Sequence, residues 1–353
     1  MKIGVIGHLG GECDFTDGQT VKTKALVEGL RNKGYSNLVI ADTYYMKKSP
    51  LSFAKQLMQV FLRADKIIVL LSDRGRKVLF PILSRVSYRK EIYHYSIGGR
   101  LAKEAAENDK YKRQISAFRA NWVESQKIAR ELNDMGVNNA SYLPNFKCIK
   151  MMDLSAIRTY KRGPYHFCMF SRVMPEKGVE DAMRAIRRVN EKIGESVALL
   201  DIYGPIENKY EERFQWALKN MGGGYTRYCG IVPPNKSVDT LKNYFMLLFP
   251  TYWSGEGMPG TIIDALAAGL PIIARRWEFC DDMVDNNVTG FVYEFDHPEK
   301  LEEEIRWAID NPSLIENMKK NCLSKATEYS EDHVMKKIIG QMMESGDSNE
   351  RAV

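Results

Sequence analysis

The chain has 353 residues, 44% hydrophobic and 27% charged, with a formal charge of +6. That is the make-up of a soluble globular protein too long for one ordinary core, so two domains are expected. No apolar run approaches the eighteen or so residues of a membrane span and no signal-peptide pattern opens the chain, so a cytoplasmic protein is expected. Six scattered cysteines (Cys13, Cys148, Cys168, Cys229, Cys280, Cys322) form no C-x-x-C pair and read as reduced thiols rather than disulfides or a zinc site.

In chain order, strands are predicted over 2–6, 37–41, 66–71, 91–95, 139–143, 165–170, 197–203, 225–229, 245–249, 271–274 and 290–293. Amphipathic helical stretches such as 18–33, 52–63, 111–135 and 178–193 lie between them. The alternation predicts an α/β protein with parallel, doubly wound sheets, in which ligands bind at the carboxyl ends of strands. Pro144-Asn145, a basic connector and Gly163-Pro164 mark a boundary, giving domains over 1–160 and 161–329. An amphipathic helix follows near 330–345, and the polar tail 346–353 is expected to fray. Residues 1–160 carry 27 Lys/Arg against 15 Asp/Glu, whereas 161–353 carry 24 against 30. The basic half is either a solvated face or a surface for an anionic acceptor or membrane phospholipid.

The first strand runs into Gly4-x-x-Gly7-x-x-Gly10-Gly11, whose spacing departs from a dinucleotide fingerprint. Asp42, ending the second strand, could mimic a ribose acid, but the helix start near Gly18 is too distant for that motif. A dehydrogenase is therefore disfavoured. His94 closes another strand in Tyr93-His94-Tyr95-Ser96, where it is either a site residue or a structural histidine. Further on, Ser171-Arg172 and Lys177-Gly178 join a strand to a helix. They put two cations at a strand's mouth, as phosphate binding needs, or simply decorate a solvated loop. Next comes Glu256-Gly257-Met258-Pro259-Gly260-Thr261, with Asp264 eight positions after Glu256. A Gly/Pro loop entering a helix offers backbone N–H groups to an anion, and two carboxylates offer acceptors for hydroxyls. Thr261-x-x-Asp264 also fits a capping box, which would make Asp264 a cap. There is no D-x-D, G-x-S-x-G, Walker loop or metal-spaced His pair, and no nucleic-acid signature.

Taken together, Ser171-Arg172 with Lys177-Gly178, Glu256-x7-Asp264 and Ala267-Ala268-Gly269-Leu270-Pro271-Ile272-Ile273-Ala274 resemble the family 4 retaining glycosyltransferases of GT-B fold. Pro250-Thr251-Tyr252-Trp253-Ser254-Gly255-Glu256-Gly257-Met258-Pro259-Gly260 is similar to bacterial members that build surface polysaccharides, and Asn286-Asn287-Val288-Thr289-Gly290 resembles a turn of the same family. The likeness is strong over 165–310 and weaker over 1–160. It implies two Rossmann-like domains facing across a cleft, an acceptor-side first domain carrying the final helix, and a donor-binding second domain. It implies a nucleotide-sugar donor, a glycan or lipid-linked acceptor, no cofactor and no metal, and activity in the cytoplasm or at the membrane's inner face.

By the same resemblance, Arg172 and Lys177 neutralise the donor diphosphate and Glu256 contacts the transferred sugar. The backbone N–H groups from Met258 to Thr261 surround sugar and phosphate, Gly257, Pro259 and Gly260 also belong to the donor site, and Asp264 holds the ribose. The family's second acid is usually Glu, so Asp264 reaches one methylene less far. Gly204 and Gly230-Ile231 line the base pocket, Gly18 lies near the diphosphate, and His94, or alternatively Ser96, contacts the sugar. A binding protein without turnover and a sugar-nucleotide epimerase are the competing readings.

Overall fold

The computed structural model describes residues 1–13, 17–148, 150–157 and 162–344. The tail expected to fray lies outside the described residues. The chain divides into two compact units, Met1–Cys148 with Tyr329–Val353, and Ile149–Glu328.

Unit 1 alternates β1 (Ile3–Gly7), α1 (Gly18–Asn32), β2 (Val39–Asp42), α2 (Tyr45–Lys48), α3 (Pro50–Arg63), β3 (Lys66–Val69), α4 (Asp73–Val86), β4 (Glu91–Tyr95), α5 (Leu101–Glu107), α6 (Asp109–Ser116), β5 (Ala120–Val123), α7 (Gln126–Asp134) and β6 (Ala140–Tyr142). The strands form one parallel sheet in the order β2-β1-β3-β4-β5-β6. Side chains alternate across it. Ile68, Leu70, Tyr93 and Tyr95 join α1's Leu26 and Leu30 in one core, while Ile67, Val69, Ile92 and His94 point to the other face.

Unit 2 runs β7 (Tyr165–Phe170), α8 (Val179–Ile193), β8 (Ala198–Tyr203), α9 (Glu211–Asn220), β9 (Thr226–Tyr228), α10 (Ser237–Leu241), β10 (Met246–Phe249), α11 (Gly260–Ala267), β11 (Ile272–Arg275), α12 (Cys280–Met283), β12 (Gly290–Tyr293), α13 (Lys300–Asp310) and α14 (Pro312–Ala326). Its sheet is again parallel, in the order β12-β11-β10-β7-β8-β9. Strands covered on both faces need continuous apolar runs, and Met246-Leu247-Leu248-Phe249 is such a run, buried throughout. The chain then returns to unit 1 through α15 (Glu331–Glu344), whose Val334, Met335, Ile338 and Met342 complete the core over α1.

All eleven predicted strands are present within two residues at each end. The stretch 111–135, read as one helical segment, is a correction: α6 and α7 are separated there by β5. The six cysteines are unpaired.

Candidate active site

In unit 2, strand order reverses between β7 and β10, and parallel sheets open a crevice at the carboxyl end of such a switch point. After β7 the chain passes Arg172 and makes one 3-10 turn, Pro175–Lys177, before α8. Gly178 closes that turn with φ 72°, and a Cβ there would come within 2.2 Å of the Pro250 carbonyl oxygen. Only glycine lets this loop lie against the loop after β10. The two are then tied by the Tyr252 amide, which donates to the Glu176 carbonyl at 2.8 Å.

That contact brings Lys177 and Glu256 together as a buried ion pair, 6% and 7% exposed. The Thr251 hydroxyl donates to the same carboxylate oxygen at 2.9 Å. The Trp253 ring lies 4.7 Å from Lys177 Nζ and 5.5 Å from the Arg172 guanidinium carbon. Arg172 itself is exposed. A buried charge is tolerated only when paired and hydrogen-bonded, and this pair meets that condition through Thr251.

Glu256 leads to α11. The capping box is not formed: Pro259 precedes the helix and offers no side-chain cap, and the Thr261 hydroxyl donates instead to the Phe170 carbonyl at 2.6 Å. Asp264 falls in the second turn, 4% exposed. The start of α11 is thus fastened to the end of β7, while among the described residues no side chain caps its first amides, the arrangement that suits an anionic ligand. Trp277 Nε1 donates to the Gly257 carbonyl at 2.9 Å and pins the glycine loop. Beside Glu256 opens a cavity of about 530 Å³ walled by Tyr252, Trp253, Arg276, Trp277 and Phe295. Aromatic faces with a few charged groups suit an orienting pocket for a polyhydroxylated ring.

On the other side of β7, Gly204 (φ 132°) accepts no Cβ, which would sit 1.8 Å from the Ser171 carbonyl oxygen. Its amide donates to the Gly230 carbonyl at 2.9 Å, and Ile231 beyond it is 68% exposed. Beneath this turn Asp201 is buried, forked by Arg227 at 2.7 and 3.0 Å and bonded by the Tyr244 hydroxyl at 2.8 Å. Burial first, then the hydrogen bonds to Tyr203 and Asp201, raises the Tyr244 hydroxyl far above the usual phenol range. This network was missed, although an acid inside the apolar run Ala198–Tyr203 was its signal.

Thus Arg172, Lys177, Gly204, Ile231, Glu256, the stretch Gly257 to Thr261 and Asp264 all sit on strand-end loops or the helix start of one unit. Gly18 and His94 belong to unit 1. Gly18 opens α1 beside the cap Asp17, and a Cβ there meets nothing within 4 Å. His94 is fully buried, with Nδ1 3.0 Å from Asn121 Oδ1 and its ring 4.9 Å from Phe80. The pleat aims it sideways into the layer under α4, so it presents no surface to a sugar. Burial, followed by the nearby Arg76 charge, lowers its pKa to about 3. Ser96, one step past the strand, is 1% exposed, and its carbonyl accepts from Lys22 Nζ at 2.7 Å. Asp42 holds the glycine loop in place, accepting from the Leu9 and Gly11 amides at 2.9 Å each. Lys22 and Glu124 form a second buried pair at 2.6 Å, under the Tyr95 ring, that no motif announced. Burial lowers the Lys22 pKa against the pull of Glu124.

Residues 154–324 match the model of the family described as glycosyl transferases group 1, a stretch contained in unit 2. The structure of Anabaena HepE in complex with UDP superposes with a TM-score of 0.71 at 12% identity, covering 98% of this chain and 100% of that one. The chain has the GT-B fold. A second GT-B neighbour, the lipopolysaccharide outer core galactosyltransferase WaaB, gives a TM-score of 0.71 at 14% identity over 98% and 100% of the two chains. Among curated proteins, N,N'-diacetylbacillosaminyl-diphospho-undecaprenol alpha-1,3-N-acetylgalactosaminyltransferase of Campylobacter jejuni is 24% identical over 123 residues, 35% of this chain. That alignment spans only about a third (32%) of the relative's length. No helix among the described residues is long and apolar enough to cross a membrane.

Proposed function

We propose that this protein is a retaining, metal-independent glycosyltransferase. It moves a hexose-type sugar from a nucleoside-diphosphate donor to a hydroxyl of a glycan or lipid-linked acceptor, in surface-polysaccharide biosynthesis. The observation that carries the reading is the buried Lys177–Glu256 pair, set beside Arg172 and the uncapped start of α11 at the switch point.

In this reading the donor diphosphate lies against Arg172 and the α11 amides. Lys177 turns from Glu256 to the phosphate, freeing the carboxylate to accept from sugar hydroxyls. Asp264 serves the ribose, and Gly204 with Ile231 borders the base. The bond from the anomeric carbon to the phosphate oxygen breaks with both electrons leaving on the diphosphate. The acceptor oxygen bonds to that carbon from the same face, and its proton passes to the departing phosphate. Fixed cations and helix amides stabilise the leaving charge without rearranging as it develops.

The family match over unit 2 supports transfer, the UDP complex of HepE makes UDP-sugars the first donors to try, and the Campylobacter relative's name favours a lipid-linked acceptor. The test is a nucleotide-sugar panel with and without acceptor, reading free nucleoside diphosphate. Acceptor-dependent release should fall at least about a hundredfold in Lys177→Ala and in Glu256→Ala. Near-normal turnover in both would overturn the site. A binding protein would release nothing, and an epimerase would convert donor without acceptor.

A further inference from the structure

On one side of the switch point β10, β11 and β12 end in loops that close around the cavity beside Glu256. Its walls are tied together by the chain itself. Arg275 Nε donates to the Phe295 carbonyl at 2.6 Å. The Arg275 guanidinium carbon lies 4.6 Å from the centre of the Phe295 ring and 5.7 Å from that of Tyr252. Arg276 Nε donates to both Glu294 carboxylate oxygens, at 3.0 and 3.1 Å, and its Nη1 donates to Asp281. Trp277 is buried edge-on against Phe249, with ring centres 5.3 Å apart. Large aromatic faces remain in water at the mouth, with Tyr252 38% and Phe295 51% exposed.

The charges on these walls decide what can enter. One guanidinium, that of Arg276, lines the cavity together with the carboxylates of Glu256, Glu278 and Asp281. Arg276 is already neutralised by Asp281 and Glu294. Even with Glu256 counted as paired to Lys177, the balance is negative, so a phosphate is repelled. A cavity of about 530 Å³ that rejects anions, and offers aromatic faces to C–H groups and charged edges to hydroxyls, fits a neutral sugar ring. That ring is not the donor's. Of the unit 2 residues given to the donor, Glu256 alone lines the cavity. The others follow β7, β8 and β9 or lie at the start of α11, which the Thr261 hydroxyl fastens to β7. From Glu256 the cavity extends the other way, to the loops after β11 and β12.

We propose that this cavity is a subsite on unit 2 for a neutral sugar ring of the acceptor glycan. Calling the ring the acceptor's rests on the transfer reading, whereas binding of a neutral glycoside there does not. The experiment is saturation-transfer NMR of the full chain with a panel of neutral methyl hexosides and methyl N-acetylhexosaminides. It is run without nucleotide, then with the best-bound nucleotide sugar of the donor panel at saturation. At least one glycoside should receive saturation under both conditions. Phe295→Ala and Tyr252→Ala, both at partly exposed side chains, should each weaken its binding severalfold. Melting temperature and affinity for the nucleotide sugar should stay unchanged in both. Binding of no glycoside, displacement of every glycoside by the nucleotide sugar, or undiminished binding in both variants would overturn the proposal. So would tighter binding of trilysine than of any glycoside, which would make the cavity a site for a cationic partner. The two readings fail separately. A chain that binds the glycoside but transfers nothing keeps the subsite and loses the transfer. Turnover whose acceptor KM is unmoved in both variants keeps the transfer and loses the subsite.

Discussion

Lys177 and Glu256 are partners before any donor arrives, and this shapes what their substitution does. Removing one charge strands the other in a buried site, a loss of about 3–5 kcal/mol in comparable pairs. Lys177→Met and Glu256→Gln should therefore each lower the melting temperature by several degrees, whereas the double variant should lose less than the sum. Turnover should stay lost in all three. Additive melting shifts would show that the two side chains do not interact. Trp253 offers a second reading, since its ring lies over both cations. A nucleoside diphosphate seated there should change tryptophan emission, and Trp253→Phe should remove most of that change; an unaltered signal in the variant would place the ligand elsewhere. His94 makes a pH prediction. Its pKa of about 3 in the fold lies below the ordinary 6.5, so between these values the unfolded chain binds a proton that the folded one refuses. The stability it contributes is complete above pH 6.5 and is lost as pH falls toward 3, and His94→Gln should flatten the melting curve in that window. An identical acid limb would mean that His94 is not held neutral. The sequence signal for the Lys177–Glu256 pair is that Lys177 stands beside Gly178, and Glu256 between Gly255 and Gly257, in loops that follow strands. The burial of His94 was not legible, because a strand's last side chains can point into a layer as easily as toward its mouth.

At the scale of elements, the sheets were legible because buried parallel strands are apolar throughout and separated by turn residues. Strand β5 escaped. Ala120-Asn121-Trp122-Val123 is only four residues long, lies between two short helices, and buries an asparagine whose amide donates to the Ile115 carbonyl at 2.8 Å. A polar residue satisfied by tertiary contacts breaks the strand signature. The Thr261-x-x-Asp264 pattern failed for a related reason, because the hydroxyl's best acceptor, Phe170, lies 91 positions away. Glycines sort by neighbours rather than by motif. Gly204→Ala must displace the Ser171 carbonyl and should lower the melting temperature sharply, whereas Gly18→Ala meets nothing and should leave it within about a degree. Equal effects in calorimetry would refute the close approach of the β7 and β8 loops.

For the whole molecule, the decisive element is α15. Its Val334, Met335 and Ile338 are buried, Gln341 accepts from the Trp122 indole N–H, and Gly29 leaves room for Met335. Deleting residues 330–353 should depress the melting of unit 1 by far more than that of unit 2, read as separable transitions in calorimetry; equal depression would contradict the assignment of the helix to unit 1. The sequence shows this helix as amphipathic but cannot say which core it covers, because an apolar stripe does not name its partner. Unit 1 is thus made from two pieces of chain, with all of unit 2 between them. During synthesis the whole of unit 2 leaves the ribosome before α15 exists. The first sheet to be made is therefore the last to be closed, and the α1 surface around Leu26 and Leu30 waits uncovered meanwhile. Slow translation of residues 149–328 would lengthen that wait, making the yield of folded protein sensitive to chaperones that shield apolar surface.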